Sequence, residues 1–228
     1  MPAAGHCRNP GAYVAGLVAH AVARGARLVR AAATGFVIDG TGRLAAVVTD
    51  GGEVPADSAV IAAGIRSAAL ARAAGDRVPL ESGGGYHVTV AGPPVTPRIP
   101  MMIADRKVAV TPIETGLRVA GQVEIAGPDA RPDWRRAEIL LRHAAALFPG
   151  LGDATARPRV TRWHGHRPST PDGLPVIGRS RASAGVIHAF GHGHVGLAAS
   201  ARTGQLVADL LTGGAPSVPP APFDPRRF

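Results

Sequence analysis

The chain has 228 residues, 46% of them hydrophobic, which is a globular composition long enough to bury a core. Its formal charge is +9, but Lys107 is the only lysine, the arginines are scattered, and aromatic residues make up 4%, so no nucleic-acid partner is expected. No apolar run approaches the roughly 20 residues of a membrane span, and the one cysteine, Cys7, excludes an internal disulfide and points to a reducing cytoplasm.

Residues 12–23 are apolar and end Ala-Val-Ala, like the core and cleavage site of a signal peptide. Pro10, His20 and a positive region holding only Arg8 argue against that. Asn9-Pro10 is a good N-cap and first-turn pair and Gly25 a good stop, so a buried helix is expected over 10–24. An apolar strand is expected at 27–32, then a hairpin from 36–38 to 44–49 across Asp39-Gly40-Thr41-Gly42. The chain turns again at Asp50-Gly51-Gly52 towards Val54. A short strand at 59–63 ends at Gly64, and a helical pattern follows over 66–74. This order fits the latter half of a three-layer nucleotide-binding domain. No strand and glycine-rich turn precedes the first helix.

From Val78 the character changes. Strands of a mostly antiparallel sheet are expected at 86–90, 99–103, 107–111 and 117–125, and an amphipathic helix at 133–148, closed by Pro149-Gly150. The fold class is therefore α/β plus α+β. The last dozen residues, rich in proline, are expected to lie as an extended tail.

The densest signals lie at 163–213. Residues 186–190 read as a buried strand, followed by Gly191, Gly193 and Gly196 and by a helix over 197–211 that stops at Gly213. Such a turn sets backbone N–H groups at the positive end of a helix, which suits an anion or an electron-rich cofactor edge. The Gly-x-Gly-x-x-Gly spacing is not a dinucleotide fingerprint, because no second parallel strand or ribose-binding acid follows. An ordinary tight turn is the alternative. Upstream, Pro168 holds Arg167 extended, and Thr170-Pro171-Asp172-Gly173 is a type I turn. The planar fork of Arg167 matches a carboxylate; a surface ion pair is its plain alternative.

Arg118 in Gly-Leu-Arg-Val-Ala-Gly, the run His166-Arg167-Pro168-Ser169-Thr170-Pro171-Asp172-Gly173-Leu174-Pro175, and Gly191-His192-Gly193-His194-Val195-Gly196 stand in one order. That order resembles the FAD-dependent D-amino acid oxidase and dehydrogenase family, above all its bacterial D-amino acid dehydrogenase-like members. Lesser matches are residues 62–67, 85–88 and the terminal 222–228. The resemblance implies an FAD-binding domain interleaved with a substrate domain, and oxidation of the Cα–N bond of a small amino acid. The implied division is 1–79 for part of the FAD-binding domain, 80–162 for the substrate domain, 163–214 for the return to the first, and 215–228 for the tail. The family's opening strand and glycine fingerprint are not found, so the chain is read as a fragment that a missing N-terminal half or a partner subunit would complete. Gly83-Gly84-Gly85 stands where relatives often carry a charged pair.

The resemblance also assigns roles. Arg167 would clamp the substrate carboxylate. Gly191, His192, Gly193, His194 and Gly196 would lie beside the flavin ring, and Gly64 near the FAD. His194 would be a second substrate contact, in a place where some relatives have arginine. From its place on the first strand of the second unit, and not from the resemblance, the Tyr86 hydroxyl is expected to touch the substrate carboxylate or amine, or else Tyr86 and His87 simply belong to an amphipathic strand. A metal site is the rival reading, since five of nine histidines (His164, His166, His188, His192 and His194) fall within 31 positions. Their spacing matches no zinc motif, and no metal ligand is assigned. A non-catalytic truncated product is the third.

Overall fold

The computed structural model describes residues 6–155 and 159–228. In chain order the elements are α1 (Pro10–Ala23), β1 (Ala33–Ile38), β2 (Leu44–Thr49), β3 (Gly52–Pro55), β4 (Ala59–Ile61), α2 (Ser67–Ala73), β5 (Glu81–Val90), β6 (Met101–Ile103), β7 (Val108–Ile113), β8 (Gly116–Ile125), α3 (Arg135–Leu147), β9 (Val160–Ser169), β10 (Val176–Arg179), β11 (Val186–Phe190) and α4 (Gly196–Thr212). The hairpin, the central strands and all four helices stand close to where the sequence puts them. Residues 27–32 form no strand; pairing with β2 begins only at Ala33, opposite Thr49. The chain divides into two compact units and crosses between them four more times after its first passage at residue 29.

One unit comprises residues 1–29, 84–124 and 130–165. Its sheet has the order β6-β7-β8-β5-β9, and α3 packs on one face. Tyr86 and Val88 of β5, Val108 and Val110 of β7, and Leu117 and Val119 of β8 alternate inward. They meet Ala137, Leu140 and Ala144 of α3. All are buried, and each full burial of a large apolar side chain stabilises by about 1.5–3 kcal/mol. Gly121 of β8 sits in close packing: a Cβ there would lie 3.0 Å from Lys107 O and Val108 Cγ1 and 3.3 Å from Leu140 Cδ2 of α3. Residues 6–9 bond to the β7–β8 hairpin: the Glu114 amide donates to Arg8 O (2.9 Å) and Asn9 Nδ2 to Glu114 Oε2 (2.6 Å). That is why residues 1–29 group here and not with 30–79.

The sequence makes α1 a buried helix, and here the structure corrects the reading. The helix is well formed: the Asn9 side chain accepts from the Ala12 amide at 2.9 Å, Pro10 occupies the first turn, and Gly25 has φ +97°. None of its residues is buried, and Tyr13, Val14, Leu17, Val18 and Val22 stay 41–52% exposed. Asn9 and Pro10 define the helix locally, but an apolar stripe needs a partner, and none packs on it among the described residues.

The other unit comprises residues 30–83, 125–129 and 166–228 and has three layers. Its central sheet has the order β10-β11-β4, with β11 antiparallel to β10 and parallel to β4. Val176, Val186 and Phe190 face one core with Leu44 of β2 and Leu70 and Ala71 of α2. Ile177 and Ile187 face the opposite core with Leu206 and Val207 of α4. The expected extended tail is instead two short 3-10 turns, Ala221–Phe223 and Pro225–Arg227. Phe223 joins the α4 core and Phe228 the α2 core, so the tail rounds the outer edge of the sheet at β10. Proline content alone does not show that these phenylalanines have pockets to fill.

Candidate active site

In the three-layer unit, Ile61 of β4 pairs with His188 of β11 in parallel. Gly64 and Gly191 each follow three residues beyond that pair. Two of the glycine positions singled out by sequence thus sit at the carboxyl ends of adjacent parallel strands, where open α/β sheets bind ligands. Gly64, Gly191 and Gly193 have φ of +57°, +84° and +52°, the left-handed region that side chains resist. At Gly191 a Cβ would also press on Thr170 Cγ2 at 3.1 Å.

The loop after β11 is joined to the end of β9. Ser169 and His192 form an isolated antiparallel bridge, and the Gly193 amide donates to Pro168 O at 2.9 Å. The two strongest motifs in the sequence are therefore one structure. Arg167 is half-buried there and its Nη1 is buried without a hydrogen-bond partner. Burial pushes its pKa down, though a guanidinium stays protonated in a protein. A buried guanidinium N–H without an acceptor is costly, and an anion would relieve it.

His192 and His194 differ. His192 Nε2 lies 2.9 Å from Thr203 Oγ1 of α4, which pins the loop to the helix it precedes; burial lowers its pKa. His194 is exposed, and its pKa is lowered by burial and then by the charge of Arg167. The neutral imidazole is favoured beside the arginine. Helix α4 starts after Val195 with no side-chain cap, so side chains leave its first-turn N–H groups open. Positive-φ glycines, an uncapped helix start and parallel strand ends fit the edge of a planar, electron-rich cofactor.

Tyr86, whose hydroxyl is expected from the sequence to touch substrate, belongs to the other unit, and there its hydroxyl is engaged by protein groups. The ring is fully buried between Trp134 and His164, at centroid distances of 6.2 and 4.6 Å. Its hydroxyl donates to Glu124 and accepts from the Asp133 amide at 2.8 Å; burial first, then Glu124, raises its pKa. The tyrosine ties β5 to the start of α3. Position 86 shares the inward parity of Val88, so alternation along β5 shows its direction. His87, on the other parity, stacks on Trp163 at 4.8 Å and 17°. The five histidines do not converge: among the described residues no group of three or more His, Cys, Asp or Glu could hold a metal.

Residues 1–210 match the family model described as FAD dependent oxidoreductase, DAO. The chain belongs to this family. It is 55% identical to a D-amino-acid oxidase of Bradyrhizobium diazoefficiens over 99% of its own length and 53% of the relative's. It is 36% identical to a D-amino acid dehydrogenase of Cereibacter sphaeroides, covering 82% of this chain and 42% of that one. Among solved structures it resembles glycine oxidase from Geobacillus kaustophilus, with 28% identity and a TM-score of 0.82 over 94% of this chain and 57% of the other. The chain thus spans about half the length of these relatives. An uncharacterized oxidoreductase of Halorhodospira halophila, 35% identical, is matched over 95% of this chain and 99% of its own length.

Sequence reasoning missed Thr203 and Arg227. Thr203 lies two turns into α4, where only its distance from His192 shows its use. Arg227 sits in a terminal Arg-Arg whose two members the sequence does not distinguish.

Proposed function

We propose that the chain forms the substrate-anchoring and flavin-edge portion of an FAD-dependent enzyme that oxidises the Cα–N bond of amino acids, in the manner of the D-amino acid dehydrogenases. The observation that carries this is the Gly193–Pro168 hydrogen bond, which joins the glycine loop to the strand end bearing Arg167. Arg167 offers its fork, with a buried unpartnered Nη1, to the substrate carboxylate. Gly64, Gly191, His192, Gly193, His194 and Gly196 form the cofactor side, and the α4 start favours negative charge there. FAD bound there would supply the hydride acceptor for oxidation at Cα. The protein orients the amino acid and keeps His194 neutral, which avoids a second positive charge beside the substrate amine. Paired carboxylates and a nucleophile are not required.

A second reading, a subunit or fragment completed by another polypeptide, is favoured by the wholly exposed α1 and by the half-length match to the relatives. The two readings combine: this portion holds the substrate end, and the remaining half would hold the rest of the FAD. Among the described residues no helix is long and apolar enough to cross a membrane, and the lone cysteine, Cys7, is exposed. A cytoplasmic setting belongs to this proposal on the cysteine usage alone.

The test is Arg167→Lys in the completed enzyme. Lysine keeps the charge but loses the planar fork, and a charged hydrogen bond is worth about 1.5–3 kcal/mol. We expect kcat/KM for a D-amino acid to fall about tenfold or more. An unchanged kcat/KM would refute the assignment of Arg167.

A further inference from the structure

The side chain of Arg227, 16% exposed, makes five hydrogen bonds. Its Nε donates to Asp172 Oδ2 at 2.7 Å; Nη2 donates to Asp172 Oδ1 at 3.3 Å and Leu174 O at 2.8 Å; Nη1 donates to Phe223 O at 3.0 Å and Asp224 O at 3.2 Å. A guanidinium has five N–H donors, so the fork is fully used. Asp172 and Leu174 belong to the turn that leaves β9, where Thr170 Oγ1 donates to Leu174 O (2.7 Å) and the Leu174 amide to Asp172 Oδ1 (3.1 Å). The carboxyl of Asp172 is lowered to about 2, chiefly by Arg227. On the far side of the tail, Arg181 Nη2 donates to Phe228 O at 3.1 Å, and the Arg181 amide donates to Asp76 Oδ2, which also lies 2.8 Å from Nε2 of His188 on β11.

This clasp grips both segments that flank the candidate site: the turn just after Arg167, and the strand that ends at the glycine loop. The buried Nη1 of Arg167 has no hydrogen-bond partner, so no bond at that nitrogen holds the guanidinium, and the backbone on either side helps set its direction. Before it the backbone is held by β9. After it Pro168 has no N–H to give, and the chain is fixed by the Ser169–His192 bridge and by the turn that Arg227 holds. We propose, resting on the reading of Arg167 as the carboxylate-binding residue, that Arg227 is a positioning residue for Arg167: through Asp172 and Leu174 it fixes the turn after β9, and so the direction of the substrate-binding guanidinium. The C-terminal residues thereby serve substrate capture as well as closure of the sheet edge.

The experiment uses the completed enzyme, propionate as a bare carboxylate probe, and arginine side-chain nitrogen resonances as the readout. Wild type should bind propionate with a shift of the Arg167 Nε signal, and Arg167→Ala should abolish both. Arg227→Lys keeps the charge but has too few donors for the clasp. It should weaken propionate about tenfold and displace the Arg167 signal in the free protein, with circular dichroism unchanged. Asp172→Asn should act the same way and replaces Arg227→Lys if that variant does not fold. Wild-type affinity and an unmoved Arg167 signal in either folded variant would overturn the positioning role and leave the reading of Arg167 intact. If propionate ignores Arg167→Ala, or fails to bind wild type, the reading falls and the positioning role with it. Loss of the folded spectrum in both variants would make the clasp structural only and also overturn the proposal.

Discussion

Arg167 and its two neighbouring histidines carry opposite electrostatic assignments on one short loop cluster. The arginine keeps its charge in a half-buried place, while burial depresses both His192 and His194 below 6.5. A histidine with a depressed folded pKa binds fewer protons folded than unfolded. Stability is therefore whole above the unfolded pKa and falls as pH drops below about 6.5, levelling off once the folded imidazole also protonates. His192, the more buried and held to Thr203, should account for more of that loss than the exposed His194. Thermal unfolding followed from pH 7 to 5 should show a steeper decline in wild type than in His192→Asn; parallel curves would mean that the burial of His192 has no such consequence. Asp172 works in a separate window. Its pKa is about 2 against an ordinary 3.8, so it stabilises fully above 3.8 and that contribution is lost as pH falls towards 2. Asp172→Asn should flatten the acid limb alone.

Turns and edges, more than strands and helices, decide what this sequence can do. Gly193 has φ +52°, and a Cβ there would find ordinary room, its nearest neighbour being Ser169 Oγ at 3.6 Å. The penalty of Gly193→Val is thus conformational, about 1–2 kcal/mol for a left-handed non-glycine and more for a β-branched one. The fold should survive that, but the Gly193–Pro168 bond would shift, so flavin retention by the completed enzyme should fall further than its melting temperature. Stoichiometric flavin after the change would count against the loop's assignment. Gly178 shows the reverse case. Its backbone is ordinary, yet a Cβ there would stand 2.7 Å from Pro225 Cδ in a rigid ring. Gly178→Ala should destabilise by about 1–3 kcal/mol through overpacking, measured by denaturant unfolding, and loosen the tail from β10. The first of these glycines was legible, because a strand, three glycines and a helix make a local pattern. The second was not, since its partner lies 47 positions away and nothing in Val-Ile-Gly-Arg announces it. The same distinction separates Arg167, flagged by Pro168 next to it, from Arg227, whose acceptors are mostly some 50 residues upstream. Local chemistry shows in a sequence; long-range fit does not.

At the scale of the whole chain, the exposed length of α1 and the half-length match to the relatives point the same way. Tyr13, Val14, Leu17, Val18 and Val22 of α1 leave an apolar stripe open to water; further along, Leu28 is 80% and Val29 55% exposed. A contiguous apolar patch of this kind is a contact surface or an aggregation hazard. Strand β4 is likewise an outer strand of its sheet, with Val60 41% exposed, so its far edge can take a further strand. The site described above supplies the glycine loop and Arg167, which suit a flavin edge and a carboxylate. Among the described residues it includes no strand and glycine turn ahead of α1 to grip a pyrophosphate. Affinity for FAD needs both ends of a long ligand, since one end alone leaves most of its ordering entropy uncompensated. We therefore expect residues 1–228 alone to bind FAD weakly or not at all, to show no turnover of D-amino acids, and to self-associate in spite of a charge of +9. Leu17→Glu, which breaks the stripe at its centre, should reduce that association without restoring flavin. Gel filtration with absorbance at the flavin bands measures both. A monodisperse yellow chain that oxidises D-amino acids would mean that the dinucleotide is held by residues assigned here to the fold, and that α1 needs no cover.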